Sequence, residues 1–135
     1  MIPWKTPVLH CVFACILAGI CGVIYNLFYC RIWGCDFSEI VHPLGIFSAY
    51  LFLSIALCGI YFIFGKWQGK QVFKWINLSF SLVFFMGVFL IFMIRLPLDI
   101  EHPELFPALA IPLELFPVIA FYTLIPFFNY QSALK

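Results

Sequence analysis

The sequence predicts an all-α integral membrane protein, an antiparallel four-helix bundle whose fourth helix is kinked by proline. Three observations predict it. Of 135 residues, 65% are hydrophobic and 10% charged, with a mean hydropathy of +1.10. An average soluble domain is nearer half apolar and one quarter charged. One this small leaves too much surface exposed to hide such an excess from water. Four stretches, 8–29, 44–64, 75–94 and 106–128, each reach the ~20 mostly apolar residues that a helix needs to span the hydrocarbon core. The segments between them are short and polar, so residues 1–135 read as one four-helix transmembrane domain. The partner this composition implies is the lipid bilayer. A net charge of +1 supplies no basic field for nucleic acid.

The first apolar run follows Lys5, as a signal peptide's would, but 8–29 is too long for a signal h-region. Val12-Phe13-Ala14-Cys15 only loosely resembles a lipoprotein cleavage box, since Phe before the Ala fits poorly. The run is therefore read as the first spanning helix. Ala14, Ala18 and Gly22 recur every fourth residue in it, with Cys15 and Gly19 alongside. Small residues at that spacing form a stripe that lets a neighbouring backbone approach closely. The stripe packs inside the bundle or against a second copy.

Orientation follows from the basic residues. The segment 65–74, between the second and third runs, holds Lys66, Lys70 and Lys74 and no acid. Asp36 and Glu39 follow the first run, and Asp99, Glu101 and Glu104 follow the third, with Arg31 and Arg95 as the only bases there. Basic residues in short loops favour the cytoplasmic side. Placing Lys5, Lys135 and the Lys-rich segment inside gives an inner-membrane protein with both termini cytoplasmic. The third run is almost uniformly apolar from Leu82 to Ile94, with Gly87 as a close-approach point, and reads as the helix most exposed to lipid.

The fourth run and its approach are the most informative stretch. They contain Pro97, Pro103, Pro107, Pro112, Pro117 and Pro126. A proline inside a helix removes a backbone donor and disturbs the preceding turn, and in lipid the freed carbonyls must find partners within the protein. Glu114 sits between Pro112 and Pro117, eight residues from Phe106, or about 12 Å into the membrane at the helical rise. An acid at such depth costs about 2.5 kcal/mol or more on insertion scales and usually faces the interior. Cys21, Gly22, Ser54, Met86 and Gly87 lie at similar depth by counting, with Tyr25, Asn26, Tyr50 and Arg95 nearer the outer surface. Arg95 could pair with Glu114, and Tyr25, Tyr50 or Asn26 could donate hydrogen bonds to it. Two readings stay open: a carboxyl that locks helix packing at a kink, or one that handles a proton, cation or polar ligand.

Asp99, Glu101, His102 and Glu104 cluster beyond the membrane without an established metal-ligand spacing, and read as a solvated acidic loop. His42 on the other outer loop could join them only if the loops meet. Of the cysteines, Cys11, Cys15, Cys21 and Cys58 fall within spanning runs and read as small apolar packing residues. Cys30 and Cys35 fall at the outer end of the first run, where an extracytoplasmic space permits a disulfide. Free thiols are the alternative, and thiol-redox chemistry lacks the CxxC pair such proteins generally use. No GxxxxGK[ST], HExxH, GxSxG or GxGxxG occurs, so no catalytic residue, metal or cofactor is implied.

The run LPLDIEHPELFPALAIPLELFP from Leu96 to Pro117, its aromatic continuation to Phe128, and Val23-Ile24-Tyr25-Asn26 resemble a group of small four-span membrane proteins from Bacteroidota. The resemblance implies the same layout in an inner membrane and brings no activity with it. Members can carry His near the place of Glu114, which implies that a titratable group there matters more than a carboxylate as such. The expected function is a non-enzymatic membrane protein that binds or passes a proton, cation or small polar ligand near Glu114. Its alternatives are a structural or accessory subunit, through a homo-oligomer or a membrane-protein partner, and a thiol-redox protein using Cys30 and Cys35.

Overall fold

The computed structural model describes residues 5–65, 70–96 and 102–128. Lys66, Pro97, Asp99, Glu101 and Lys135, used above for orientation, the acidic loop and the approach to the fourth helix, lie outside them. The described residues form four long helices: α1 (Lys5–Trp33), α2 (Pro43–Gly65), α3 (Lys70–Ile91) and α4 (Phe106–Phe128). A 3-10 turn, Pro103–Leu105, leads into α4. Each is long and apolar enough to cross a membrane, and the protein is a multi-pass membrane protein built as a helical bundle.

The limits of two helices, α1 and α3, depart most from the sequence reading. α1 continues past residue 29 to Trp33, so Cys30 and Arg31 lie in its last turn and not in a loop. A cation there complements the negative end of the helix dipole. The helix stops at Gly34, whose φ of 62° is a left-handed conformation that glycine adopts without a Cβ penalty. α3 is displaced toward the N-terminus, starting at Lys70 and ending at Ile91 where 94 was expected. The chain leaves it through a tight turn in which the amides of Met93 and Ile94 donate to the carbonyls of Leu90 and Ile91. Hydropathy marks where lysines begin, but a lysine stem is apolar and a helix can start beneath it.

Contacts show an up-down-up-down order. Cys58 of α2 reaches the Val8 carbonyl near the start of α1, and a Cβ at Gly22 further along α1 would meet Ile46 and Tyr50 near the start of α2, so α1 and α2 run antiparallel. His10 bonds the carbonyl of Phe121 near one end of α1, and Tyr25 bonds that of Ala108 near the other, so α1 and α4 run antiparallel too. α3 packs on α4 through Gly87 against Glu114 and through Ser81 against Tyr122. α1 thus lies between α2 and α4, and α3 is held mainly by α4. The small-residue stripe resolves toward the interior: Ala14, Ala18 and Gly22, with Cys15 and Gly19 alongside, are all buried within this one chain. α3 is the helix most exposed to lipid, as expected, with only 11% of its spanning window buried against 39% for α1.

One end of the bundle is closed by the α1–α2 loop. Asp36 accepts a bond from the Ser38 amide at 2.9 Å, turning the chain so that Phe37 drops inward. Phe37 is buried and meets Phe106 edge-on at 5.7 Å between ring centroids. His42 caps α2 by accepting the Leu44 amide at Nδ1, with Pro43 at the first helical position, where a missing amide is harmless.

Candidate functional site

α4 runs as one helix from Phe106 to Phe128 with Pro112, Pro117 and Pro126 inside it. Proline 112 cannot donate to the carbonyl four residues earlier, Ala108, and proline 117 cannot donate to that of Leu113. Both carbonyls have replacement donors. Tyr25 of α1 donates to Ala108 at 2.8 Å, and Tyr50 of α2 donates to Leu113. A third tyrosine, Tyr29, donates to the Leu105 carbonyl at 2.8 Å, where the 3-10 turn meets α4. Near the far end, His10 donates through Nε2 to Phe121 at 2.8 Å, next to the carbonyl that Pro126 frees. The carbonyl can only accept, so Nε2 carries the proton. The carbonyls freed by Pro112 and Pro117 are thus satisfied by side chains of neighbouring helices, as lipid requires.

These bonds decide what surrounds Glu114. Its side chain is half-buried and lies over the α3 backbone at Gly87, where any Cβ would overlap the carboxylate. That contact places Glu114 and Gly87 at one depth, as helical counting predicts. Tyr25 and Tyr50, expected to donate to the carboxylate, give their hydroxyl protons to backbone carbonyls. Asn26 donates to the Val41 carbonyl at 3.4 Å, fastening the α1–α2 loop, and accepts the Cys30 thiol at 3.7 Å. Arg95 is exposed beyond the end of α3, and no ion pair joins it to Glu114. It stands eight residues past Gly87, or about 12 Å along a helix, and the helix has already ended at Ile91. Among the described residues, nothing hydrogen-bonds or ion-pairs with Glu114.

The remaining candidates separate in the same way. Cys30 and Cys35 are both free thiols. Cys30 is half-buried in the last turn of α1, and Cys35 is buried just past Gly34, where burial and then the neighbouring Cys30 thiol push its thiol up from the usual range. His102 and Glu104 make an exposed contact of 3.2 Å with each other. His102 is left-handed, with φ of 57°. No cluster of metal-ligating side chains forms among the described residues.

Sequence reasoning missed a second polar group on the lysine-rich side. Tyr122 of α4 donates to the Asn77 carbonyl at 3.0 Å and meets the Ser81 hydroxyl at 2.7 Å, while Tyr61 of α2 donates to the Asn77 side chain. Helical counting was the available signal, since Asn77 and Ser81 are four apart and so face one neighbour. No protein-family model, curated protein or solved structure matches the chain. Its reading therefore rests on its own geometry.

Proposed function

We propose that this is a non-enzymatic protein of the inner membrane, with both termini cytoplasmic, that binds or passes a proton, small cation or small polar ligand at Glu114. One observation carries the reading. The carboxyl is the only acid inside α1 to α4, and the neighbouring donors that could neutralise it are committed to the backbone of α4. A carboxyl kept for packing would be expected to hold one of those donors. An intramembrane acid without a fixed partner is instead open to a proton or to a ligand that brings its own charge.

The test compares Glu114→Gln with the wild type in proteoliposomes, using a hydrophobic carbodiimide that attacks protonated carboxyls. The wild type should be labelled at Glu114, with cations competing if one binds there. The variant should assemble with normal yield, lose the label and lose any proton or cation flux. A loss of yield and stability with no flux in the wild type would leave Glu114 as a packing group. An accessory-subunit reading has one observation in its favour, the outer face of α3, which the chain itself hardly covers. A foreign membrane protein retained in stoichiometric amount on gentle solubilisation would favour it. Thiol-redox chemistry has less support, since Cys35 is buried and Cys30 is engaged by Asn26.

A further inference from the structure

The end of α1 sets two thiols against each other. The helix stops at Gly34, whose left-handed backbone, with φ of 62°, turns the chain back on its last turn. In that arrangement the residue after the glycine commonly packs on the one four before it. Here those residues are Cys35 and Cys30, and the Cys35 thiol interacts through its side chain with that of Cys30. Spacing alone leaves the pair open between a disulfide and two free thiols, because it does not say which way either side chain turns. The glycine at the helix end supplies the direction. The other four cysteines, Cys11, Cys15, Cys21 and Cys58, lie within the spanning helices α1 and α2.

The two thiols are unequal. Cys35 is buried, whereas Cys30 is half-buried in the last turn of α1. Two residues beyond Cys35, Phe37 drops inward onto Phe106 and closes this end of the bundle. A bond from residue 30 to residue 35 therefore anchors the loop just before its plug.

We propose that Cys30 and Cys35 are joined by a disulfide in the membrane-inserted protein, a clasp that holds the α1–α2 loop and Phe37 over the outer end of the bundle. This rests on the orientation proposed above, which puts that end outside the cytoplasm, where disulfides form and persist. It does not involve Glu114. The oxidant is a protein or small-molecule disulfide of that compartment. The Cys30 thiolate attacks one of its sulfurs, and the other leaves as a thiolate and takes up a proton. The Cys35 thiolate then attacks the Cys30 sulfur, which breaks the mixed disulfide and releases the oxidant's second sulfur as a thiol. Two protein thiols become one disulfide while the oxidant's disulfide becomes two thiols, so electrons and protons balance. Only Cys30 has to meet the oxidant. The second step is internal to the chain, and burial of Cys35 then shields the bond from reduction, which marks a structural disulfide and not a catalytic one.

The test takes the full chain from membranes without reductant, alkylates it in denaturant and digests it with trypsin, which cuts after Arg31 between the two cysteines. Mass spectrometry should find the peptide ending at Arg31 linked to the one starting at Ile32, with the other four cysteines alkylated, and reductant should part them. Cys30→Ser and Cys35→Ser should each abolish the link with helix content unchanged. Recovery of Cys30 and Cys35 both alkylated from the wild type would overturn the proposal. So would either of them bonded to a different cysteine, of this chain or of a second copy. If both are alkylated, treating the reduced, purified chain with oxidised glutathione tells the two failures apart. Closure of the pair there would place the error in the orientation, and glutathione adducts without closure would place it in the geometry at Gly34.

Discussion

Replacing Tyr50 by Phe should destabilise the bundle, and it should do so because of Pro117. The ring of Tyr50 is buried and stays in place as Phe, so the substitution removes only the hydroxyl. That hydroxyl donates to the Leu113 carbonyl, which has no helical donor because residue 117 is proline. Hydrogen bonds between membrane helices average about 0.6 kcal/mol and reach about 1.7 kcal/mol. Leu113 is at the upper end of that range, since losing Tyr50 leaves its carbonyl with neither donor. In a Pro117→Ala background, the restored amide can bond Leu113 directly, and Tyr50→Phe should then cost about 0.6 kcal/mol or less. The coupling between the two positions is thus about 1 kcal/mol, or roughly fivefold in the unfolding equilibrium. Reversible unfolding in mixed micelles of rising dodecyl sulfate fraction, followed by circular dichroism, measures all four corners of the cycle. Equal cost of Tyr50→Phe in both backgrounds would refute the idea that tyrosine replaces the proline's missing donor. The same cycle on Tyr25 and Pro112 should give a smaller coupling, because Tyr25 is only half-buried.

Two further outcomes follow from particular contacts. Gly87→Ala should swing the Glu114 carboxylate off α3, because the new methyl takes its place. The displaced atoms are the end of a flexible side chain, so unfolding should shift by less than about 1 kcal/mol while carbodiimide labelling of Glu114 changes. A large stability loss with unchanged labelling would mean that the α3 backbone gives way and the carboxylate does not. For Cys35, a thiol pushed up by burial holds less thiolate at neutral pH than an ordinary one, and the thiolate is the reactive form. Alkylation of Cys35 in a chain keeping only Cys30 and Cys35 should therefore be slower folded than unfolded. It should speed up as pH rises and be partly relieved by Cys30→Ser. An unfolded-like rate at neutral pH would show that Cys35 is not buried.

How much of this was legible in the sequence depends on whether a property adds up locally. Hydropathy does, so four spans were readable, and α4 begins where its apolar run does, at Phe106. The carbonyls freed by Pro112 and Pro117 were also readable, because the i−4 relation of a helix names Ala108 and Leu113 without any tertiary information. Gly87 was identified as a close-approach point, and helical rise put it level with Glu114. The tertiary structure decided which donor meets which acceptor. By counting, Tyr25, Tyr50 and Asn26 lie on α1 and α2 nearer the outer surface than Glu114 and within reach of it, yet they bond Ala108, Leu113 and Val41. Depth is set by counting along one helix, whereas pairing depends on how each helix is rotated about its axis. That rotation is fixed by close packing, such as the Gly19 and Gly22 face of α1 against Phe47, Ile46 and Tyr50. Counting could place Glu114 within the membrane; only the packed bundle could leave it without a hydrogen-bond or ion-pair partner among the described residues.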